Sequence, residues 1–382
     1  MKNSDWKEVK LNEVGFVGRG KSRHRPRNAE FLYGGDYPFV QTGDIKASEF
    51  YLSTYSQTYS EDGLKQSKLW NEGTLCITIA ANIAETAVLT IKACFPDSVI
   101  GFVPFKDKSD VRFIKYSFDI LKLHFQSISQ GTTQDNLSLE KLLSINFTLP
   151  PLPTQQKIAD ILGAYDELIE NNRRRIALLE NMAAGLYKEW FVRMRPHGQI
   201  LPTNAETGLP EGWEVVRFSD FIKLNRGFDL PDEKMEEGIC PVIASTGIKG
   251  FHSSFKVKGP CVTTGRSGSL GTVIYEDRDS WPLNTSLYVK DFKGNSPIFV
   301  YYTLKELNLE TFNSGAGVPT LNQNHLHNLK LPLPRKELQN EFEQITVSLF
   351  NQIKTLQEQT GVLRRVRDRL LPRLMSGELG GA

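Results

Sequence analysis

Long apolar runs are missing from this chain of 382 residues. No stretch approaches the roughly 18 apolar residues that a membrane-spanning helix needs. The first ten residues, MKNSDWKEVK, lack an apolar core, so no secretory signal is expected. Cysteine is scarce. Cys76, Cys94, Cys240 and Cys261 are scattered and form no Cys-x-x-Cys pair, which points to reduced cytoplasmic thiols rather than disulfides or zinc. The six histidines show no metal-ligand spacing. A strong charge of one sign is also lacking. The net charge is +2, low for a protein that grips DNA unaided. With 40% hydrophobic and 24% charged residues, the chain reads as soluble and long enough for two to three domains.

Catalytic motifs are absent as well. There is no Asn-Pro-Pro-aromatic or Asp-Pro-Pro-Tyr motif to hold a flipped base, no convincing Pro-Asp…Glu-x-Lys nuclease site, no Gly-x-Ser-x-Gly elbow and no His-Glu-x-x-His helix. Asp36, Asp44 and Asp62 lie among turn residues and read as caps and turn formers. Gly15 to Ser22 (GFVGRGKS) does match a P-loop letter for letter. A working P-loop needs a buried strand before it and a helix after it. Here Lys7 to Glu13 is charged and alternating, and Arg23-His24-Arg25-Pro26-Arg27 is a poor helix start.

What the chain does have is an internal repeat of about half its length. Trp6-Lys7-Glu8-Val9 is echoed by Trp213-Glu214-Val215-Val216, and at the same separation Arg19-Gly20 matches Arg226-Gly227. Further on, Gln134 to Pro150 resembles Val318 to Pro334 at a separation shorter by roughly 23 residues. Each half has one plan. A mixed segment rich in Gly, Thr and aromatics contains short strand-like runs such as Leu75 to Ile79 and Thr272 to Tyr275. A helical stretch near Phe113 to Leu123 has its counterpart near Ile298 to Leu307. A proline-rich stop follows, Leu149 to Pro153 or Leu331 to Pro334, and then a long helix.

The two long helices, about Thr154 to Val192 and from Lys336 onward, carry heptads. In the first, Ile158, Tyr165, Asn172, Leu179 and Leu186 form one seam, with Ile161, Leu168, Arg175 and Met182 as the second. In the other, Phe342, Leu349, Leu356, Leu363 and Leu370 repeat, with Ile345, Gln352, Gln359 and Val366 alongside. This pattern argues for a coiled coil whose polar seam positions fix register. Two amphipathic helices on separate cores are the alternative. The expected fold is α+β: two pseudo-repeated mixed α/β domains separated by two long helices forming an antiparallel coiled coil. The expected boundaries are 1–152 and 196–334 for the domains, and 153–195 and 335–382 for the helical segments.

Several motifs together resemble one family. Tyr37 to Lys46 (YPFVQTGDIK) resembles a segment of the specificity subunits of type I restriction-modification enzymes, and Cys240 to Gly250 is similar to its second-half version. Leu149 to Leu162 (LPPLPTQQKIADIL), Lys188 to Phe191 and the terminal Leu371 to Leu379 also resemble that family, so the likeness spans the chain. It implies that each globular domain is a target-recognition domain for one half of a split, asymmetric double-stranded DNA site. It implies helices that space the domains and dock two methyltransferase subunits. S-adenosylmethionine would sit in those partners, and ATP and Mg in restriction partners, with no cofactor or catalysis in this chain.

Direct readout needs amide, hydroxyl and guanidinium groups on loops. The candidates in the first domain are Arg19, Lys21, Arg23, Arg25, Gln41, Thr42, Lys46, Gln130, Thr132, Thr133 and Gln134. In the second they are Arg226, Ser245, Lys249, Arg266, Ser267 and Thr320. From Arg19 to Arg27 five basic side chains and His24 occur without an acid, as suits a loop on phosphates. Gly131, Gly315 and Gly317 mark loops where backbone can approach DNA. The low net charge fits partners that share phosphate neutralisation. Two rival readings remain: a scaffold binding only protein through its helices, and an ATP-using enzyme built on the Gly15 to Ser22 loop.

Overall fold

Proline and capping side chains set where the helices begin. In the computed structural model, which describes residues 5–79, 85–128, 138–315 and 317–379, four helices matter most: α1 (Val111–Ile128), α2 (Leu152–Tyr187), α3 (Pro297–Glu306) and α4 (Lys336–Met375). Asp110 caps α1 by accepting from the Arg112 N–H at 2.8 Å, and Ser296 caps α3 ahead of Pro297. A buried glutamine then ties each long helix to the domain helix before it. Gln155 accepts from the Asp110 N–H and donates to the Pro150 carbonyl. Gln339 does the same with the Ser296 N–H and the Pro334 carbonyl. This repeated device was not read from the sequence.

The chain divides into two compact units, Met1–Arg173 with Glu358–Ala382, and Arg174–Gln357. In unit 1, β1 (Lys7–Lys10) enters antiparallel to the exiting Asn146–Leu149, with Lys7 opposite Leu149. Between them lie β2 (Gly15–Arg19), β3 (Tyr33–Phe39), β4 (Tyr51–Leu52), β5 (Gln57–Tyr59), β6 (Leu69–Trp70), β7 (Leu75–Thr78), β8 (Thr86–Leu89), β9 (Ala93–Cys94) and β10 (Val99–Pro104); the exit strand is β11. They form a five-stranded sheet, β2-β10-β7-β8-β4, and a four-stranded one, β5-β3-β9-β6. The main core joins Leu11, Phe102 and Phe113 to Ile158 and Leu162 of α2, and to Leu371 and Leu374 of α4.

Unit 2 repeats the plan. Entry strand β12 (Glu214–Arg217) pairs with the exit strand Lys330–Leu333, Glu214 opposite Leu333. Strands β13 (Lys223–Arg226), β14 (Cys240–Ala244), β15 (Gly247–His252), β16 (Cys261–Gly265), β17 (Val273–Glu276), β18 (Trp281–Pro282) and β19 (Ser286–Asp291) lie between; the exit strand is β20. The sheets are β13-β19-β16-β17 and β15-β14-β18. Phe218, Phe221 and Phe299 form the core with Tyr187, Trp190 and Phe191 at the end of α2 and its π-helical turn, and with Leu338 and Phe342 of α4. Each unit thus buries the start of the long helix that follows it and the end of the other.

Within each unit the helix segments run antiparallel. In unit 1, Asp166 meets Arg367 at 2.5 Å and Asn172 meets Thr360 at 3.4 Å, so one number rises as the other falls. In unit 2 the Phe342 ring lies 5.1 Å from Phe191 and 6.0 Å from Tyr187. The first expected seam holds in part: Ile158, Asn172, Phe342 and Leu356 are buried, and Tyr165, Leu179, Leu186, Leu349, Leu363 and Leu370 half-buried. The second seam is corrected by one residue. Ile161, Leu168, Met182, Ile345 and Val366 are exposed, as are Arg175, Gln352 and Gln359. The packed row is Leu162, Ile169, Ile176 and Ala183 on α2, and Thr346, Ile353, Thr360 and Arg367 on α4. Neighbouring positions lie about 100° apart around a helix. On α2 both rows are apolar at 161/162, 168/169 and 182/183, so periodicity does not select between them.

Candidate nucleic-acid interface

The basic run of unit 1 begins where β2 ends. Gly15 to Arg19 is strand, so the P-loop look-alike has no strand–loop–helix geometry. Its glycines answer to packing. A Cβ at Gly15 would lie 2.2 Å from the Phe102 ring, and one at Gly20 2.3 Å from the Phe95 and Pro96 carbonyl oxygens. The backbone beyond is pinned: the Lys21 N–H donates to the Phe95 carbonyl at 3.0 Å, and the Arg23 and His24 N–H groups both donate to Gln66 Oε1. Ser22 is buried, its hydroxyl 3.4 Å from that of Tyr59.

This scaffold sorts the five cations. Arg19, Lys21 and Arg23 are exposed with no acidic partner among the described residues. Arg25 folds back, donating to the Ser22 and His24 carbonyls at 2.7 and 2.8 Å. Arg27 is paired with Asp97 at 2.9 Å. Sequence reading missed Lys68, whose ammonium sits 3.6 Å from the Trp70 ring centroid and 4.6 Å from that of Phe16. Burial, with Lys21 nearby, lowers its pKa. Gln41 precedes the short helix Thr42–Ala47, which carries Thr42 and Lys46, and its Nε2 donates to Gln57 Oε1 at 2.6 Å. Gln57, also missed, lines with Arg27, Asn28, Glu30, Tyr33 and Gln41 a cleft of about 510 Å³. Gln130, Gly131, Thr132, Thr133 and Gln134 lie outside the described residues.

In unit 2 the candidates separate into two groups. Arg226, Arg266, Ser267 and Thr320 come together around the start of β19. Strands β13 and β16 flank β19, with Arg226 opposite Leu287 and Gly265 opposite Ser286. Arg266 follows Gly265 directly, and Ser267 forms a β-bridge with Thr320. A Cβ at Gly315 would lie 2.0 Å from the Val318 carbonyl oxygen, so that turn requires glycine. Ser245 and Lys249 belong to the other sheet. Ser245 is buried, and Lys249 is held by Asp232 at 2.5 Å. Among the described residues no group of three or more His, Cys, Asp or Glu side chains could hold a metal ion.

The family model for the type I restriction modification DNA specificity domain matches residues 3–181 and 210–363. The chain belongs to this family. The two matches begin close to Trp6 and Trp213, where the repeat was read. The MjaIX type I restriction enzyme specificity subunit of Methanocaldococcus jannaschii is 25% identical, covering 98% of this chain and 94% of that protein. The HindI specificity subunit of Haemophilus influenzae is 21% identical over 98% of this chain and all of its own length. In fold, the chain is similar to the S subunit of a type I restriction-modification system from M. genitalium, with a TM-score of 0.61, 17% identity and 98% of this chain covered. The likeness takes in both mixed α/β units of this chain and its long helices.

Proposed function

We propose that this type I specificity subunit assigns one half of a bipartite, asymmetric DNA site to each of its units. The observation that carries the reading is the repeated strand plan. In both units the second strand ends in an exposed arginine, Arg19 or Arg226, beside the start of the neighbouring interior strand, β10 or β19. Two copies of one reading face, on units that differ in their loops, suit a site with two unlike halves.

The long helices serve as spacer and as docking surface for two methyltransferase subunits. Support comes from the apolar residues they leave exposed: Ile161, Leu168 and Val366 in unit 1, and Leu178, Met182 and Ile345 in unit 2. Chemistry lies with the partners: S-adenosylmethionine in the methyltransferase subunits, ATP and Mg in restriction subunits. This chain supplies the address, without catalysis, in the cytoplasm. No helix of its described residues is long and apolar enough to cross a membrane.

Domain replacement tests the assignment. Exchanging residues 1–150 for the matching segment of a relative should change one half of the methylated motif, read by methylome sequencing of the host. A change in both halves would refute independent reading.

A further inference from the structure

Resting on the DNA-reading function proposed above, we infer that Arg266 reads a guanine in the half-site of unit 2, donating two hydrogen bonds to its O6 and N7 edge in the major groove. The seat of this residue sets it apart. Its backbone is fixed from two sides: the Arg266 N–H donates to the Thr285 carbonyl at 2.8 Å, and its carbonyl accepts from the Leu321 N–H at 2.8 Å. The following residues are stitched to the same two loops, Ser267 N–H to Thr285 O at 3.1 Å and Gly268 N–H to Pro319 O at 3.0 Å. Gly265 permits the turn, since a Cβ there would fall 1.8 Å from the Ser269 carbonyl oxygen. At Gly268, with φ +89°, no atom lies within 4 Å of a Cβ position, so backbone here is open to close approach.

The side chain is half-buried but not consumed. Among the described residues its side chain makes one hydrogen bond, a long one from Nη1 to the Asn284 carbonyl at 3.4 Å, and no carboxylate pairs with it. Asp229 is engaged instead by the Asn284 side-chain amide at 2.6 Å. Arg112, Arg278 and Arg367 are by contrast committed to Asp110, Glu276 and Asp166. Arg266 therefore keeps its Nε and Nη2 donors, on a mount that gives up little freedom on binding. That fork matches guanine O6 and N7, the commonest specific arginine contact. Arg226, exposed on the other side of β19, suits a phosphate, which needs charge but no rigid seat.

The test uses the chain assembled with its methyltransferase partner and a randomised duplex library. Selection should give a site with a guanine in the half that exchange of residues 1–150 leaves unchanged. Replacing that guanine with 7-deazaguanine, which lacks the N7 acceptor but keeps O6, should weaken wild-type binding measurably, by less than the roughly 5- to 150-fold of a whole bidentate contact. The same base change should cost the Arg266→Ala variant little, while that variant keeps its preference in the other half-site. The wild-type measurement stands even if the variant fails to fold. No guanine in that half-site, or an equal cost of 7-deazaguanine to both proteins, overturns the inference and leaves the specificity reading intact. Failure to select any sequence would overturn the reading beneath it.

Discussion

Arg367→Ala should destabilise unit 1 by about 3–5 kcal/mol, the range for a buried ion pair deprived of one partner. Asp166 is 3% exposed. Arg367 lies 2.5 Å away, its side chain 20% exposed, and the Tyr116 hydroxyl donates to the other carboxylate oxygen. Burial, then the adjacent carboxylate, hold that phenol protonated well above its usual range. Removing the guanidinium leaves an uncompensated charge among α1, α2 and α4. The repeat supplies the second arm. The register that aligns Ile158 with Phe342 places Asp166 at Phe350 and Ala183 at Arg367. There the counterpart of Tyr116, Tyr302, packs its ring 6.4 Å from Phe350 and 5.4 Å from Tyr187, with no ion pair. Asp166→Phe combined with Arg367→Ala copies that solution. It should recover at least about 1 kcal/mol relative to the summed single variants, as residues in contact couple by about 0.5–3 kcal/mol. Urea unfolding, followed by a probe in unit 1, reads both quantities. An Arg367→Ala effect below about 1 kcal/mol, or strict additivity of the pair, would refute the reasoning.

Arg23→Ala should lower the salt slope of DNA binding by about 0.9, because one phosphate is left without its cation. Arg25→Ala should change it less, because Arg25 is folded onto carbonyls of its own loop; equal effects would place both on DNA. Native alkylation at pH 8 should modify Cys240 first. The Cys76, Cys94 and Cys261 thiols are buried and pushed up by desolvation, Cys261 to about 11, and rapid labelling of Cys76 by mass spectrometry would contradict this burial. Inserting one heptad after Leu179 and one after Leu363 lengthens each helix by roughly 10.5 Å. At about 3.4 Å per base pair, the gap in the methylated motif should widen by up to about 3 base pairs, and full activity with an unchanged gap would mean the helices are not the spacer.

The strongest signals in the sequence were local ones. Pro150 and Pro151 stop a strand and release a helix that starts at Leu152, close to the expected Thr154, while Lys336 begins α4 as expected. Repeat and periodicity need only the chain's own order. Long-range pairing does not show in that order. The acids that occupy Arg27 and Lys249 are Asp97 and Asp232, brought in from distant loops. A basic run therefore looks uniformly available for phosphates until the fold assigns partners to some of its members. Gln57 and Lys68 had no local pattern to mark them. They matter because β5 lies beside β3, and because Lys68 lies over the aromatic faces of Phe16 and Trp70. Conversely Arg226, Arg266, Ser267 and Thr320, named only by residue type and loop position, converge because β13 and β16 both pair with β19.

The seam shift also has a functional reading. A heptad row predicts which residues avoid water but not which neighbour excludes it. On α2 of unit 1, Leu162 and Ile169 meet the protein's own core or partner helix, while Ile161 and Leu168, one position earlier, remain 45% and 50% exposed. Full burial of such a side chain contributes about 1.5–3 kcal/mol. Leaving two of them, seven residues apart and on one helix face, in water forgoes that stabilisation in the isolated chain. A single exposed leucine needs no explanation. In unit 2 the same row recurs at Met182, and Ile345 repeats it on α4. The row expected as the second seam is thus one this fold does not use internally. An outward apolar row at heptad spacing can be covered by a helix face from another protein, which is the kind of surface the proposed docking of methyltransferase subunits requires.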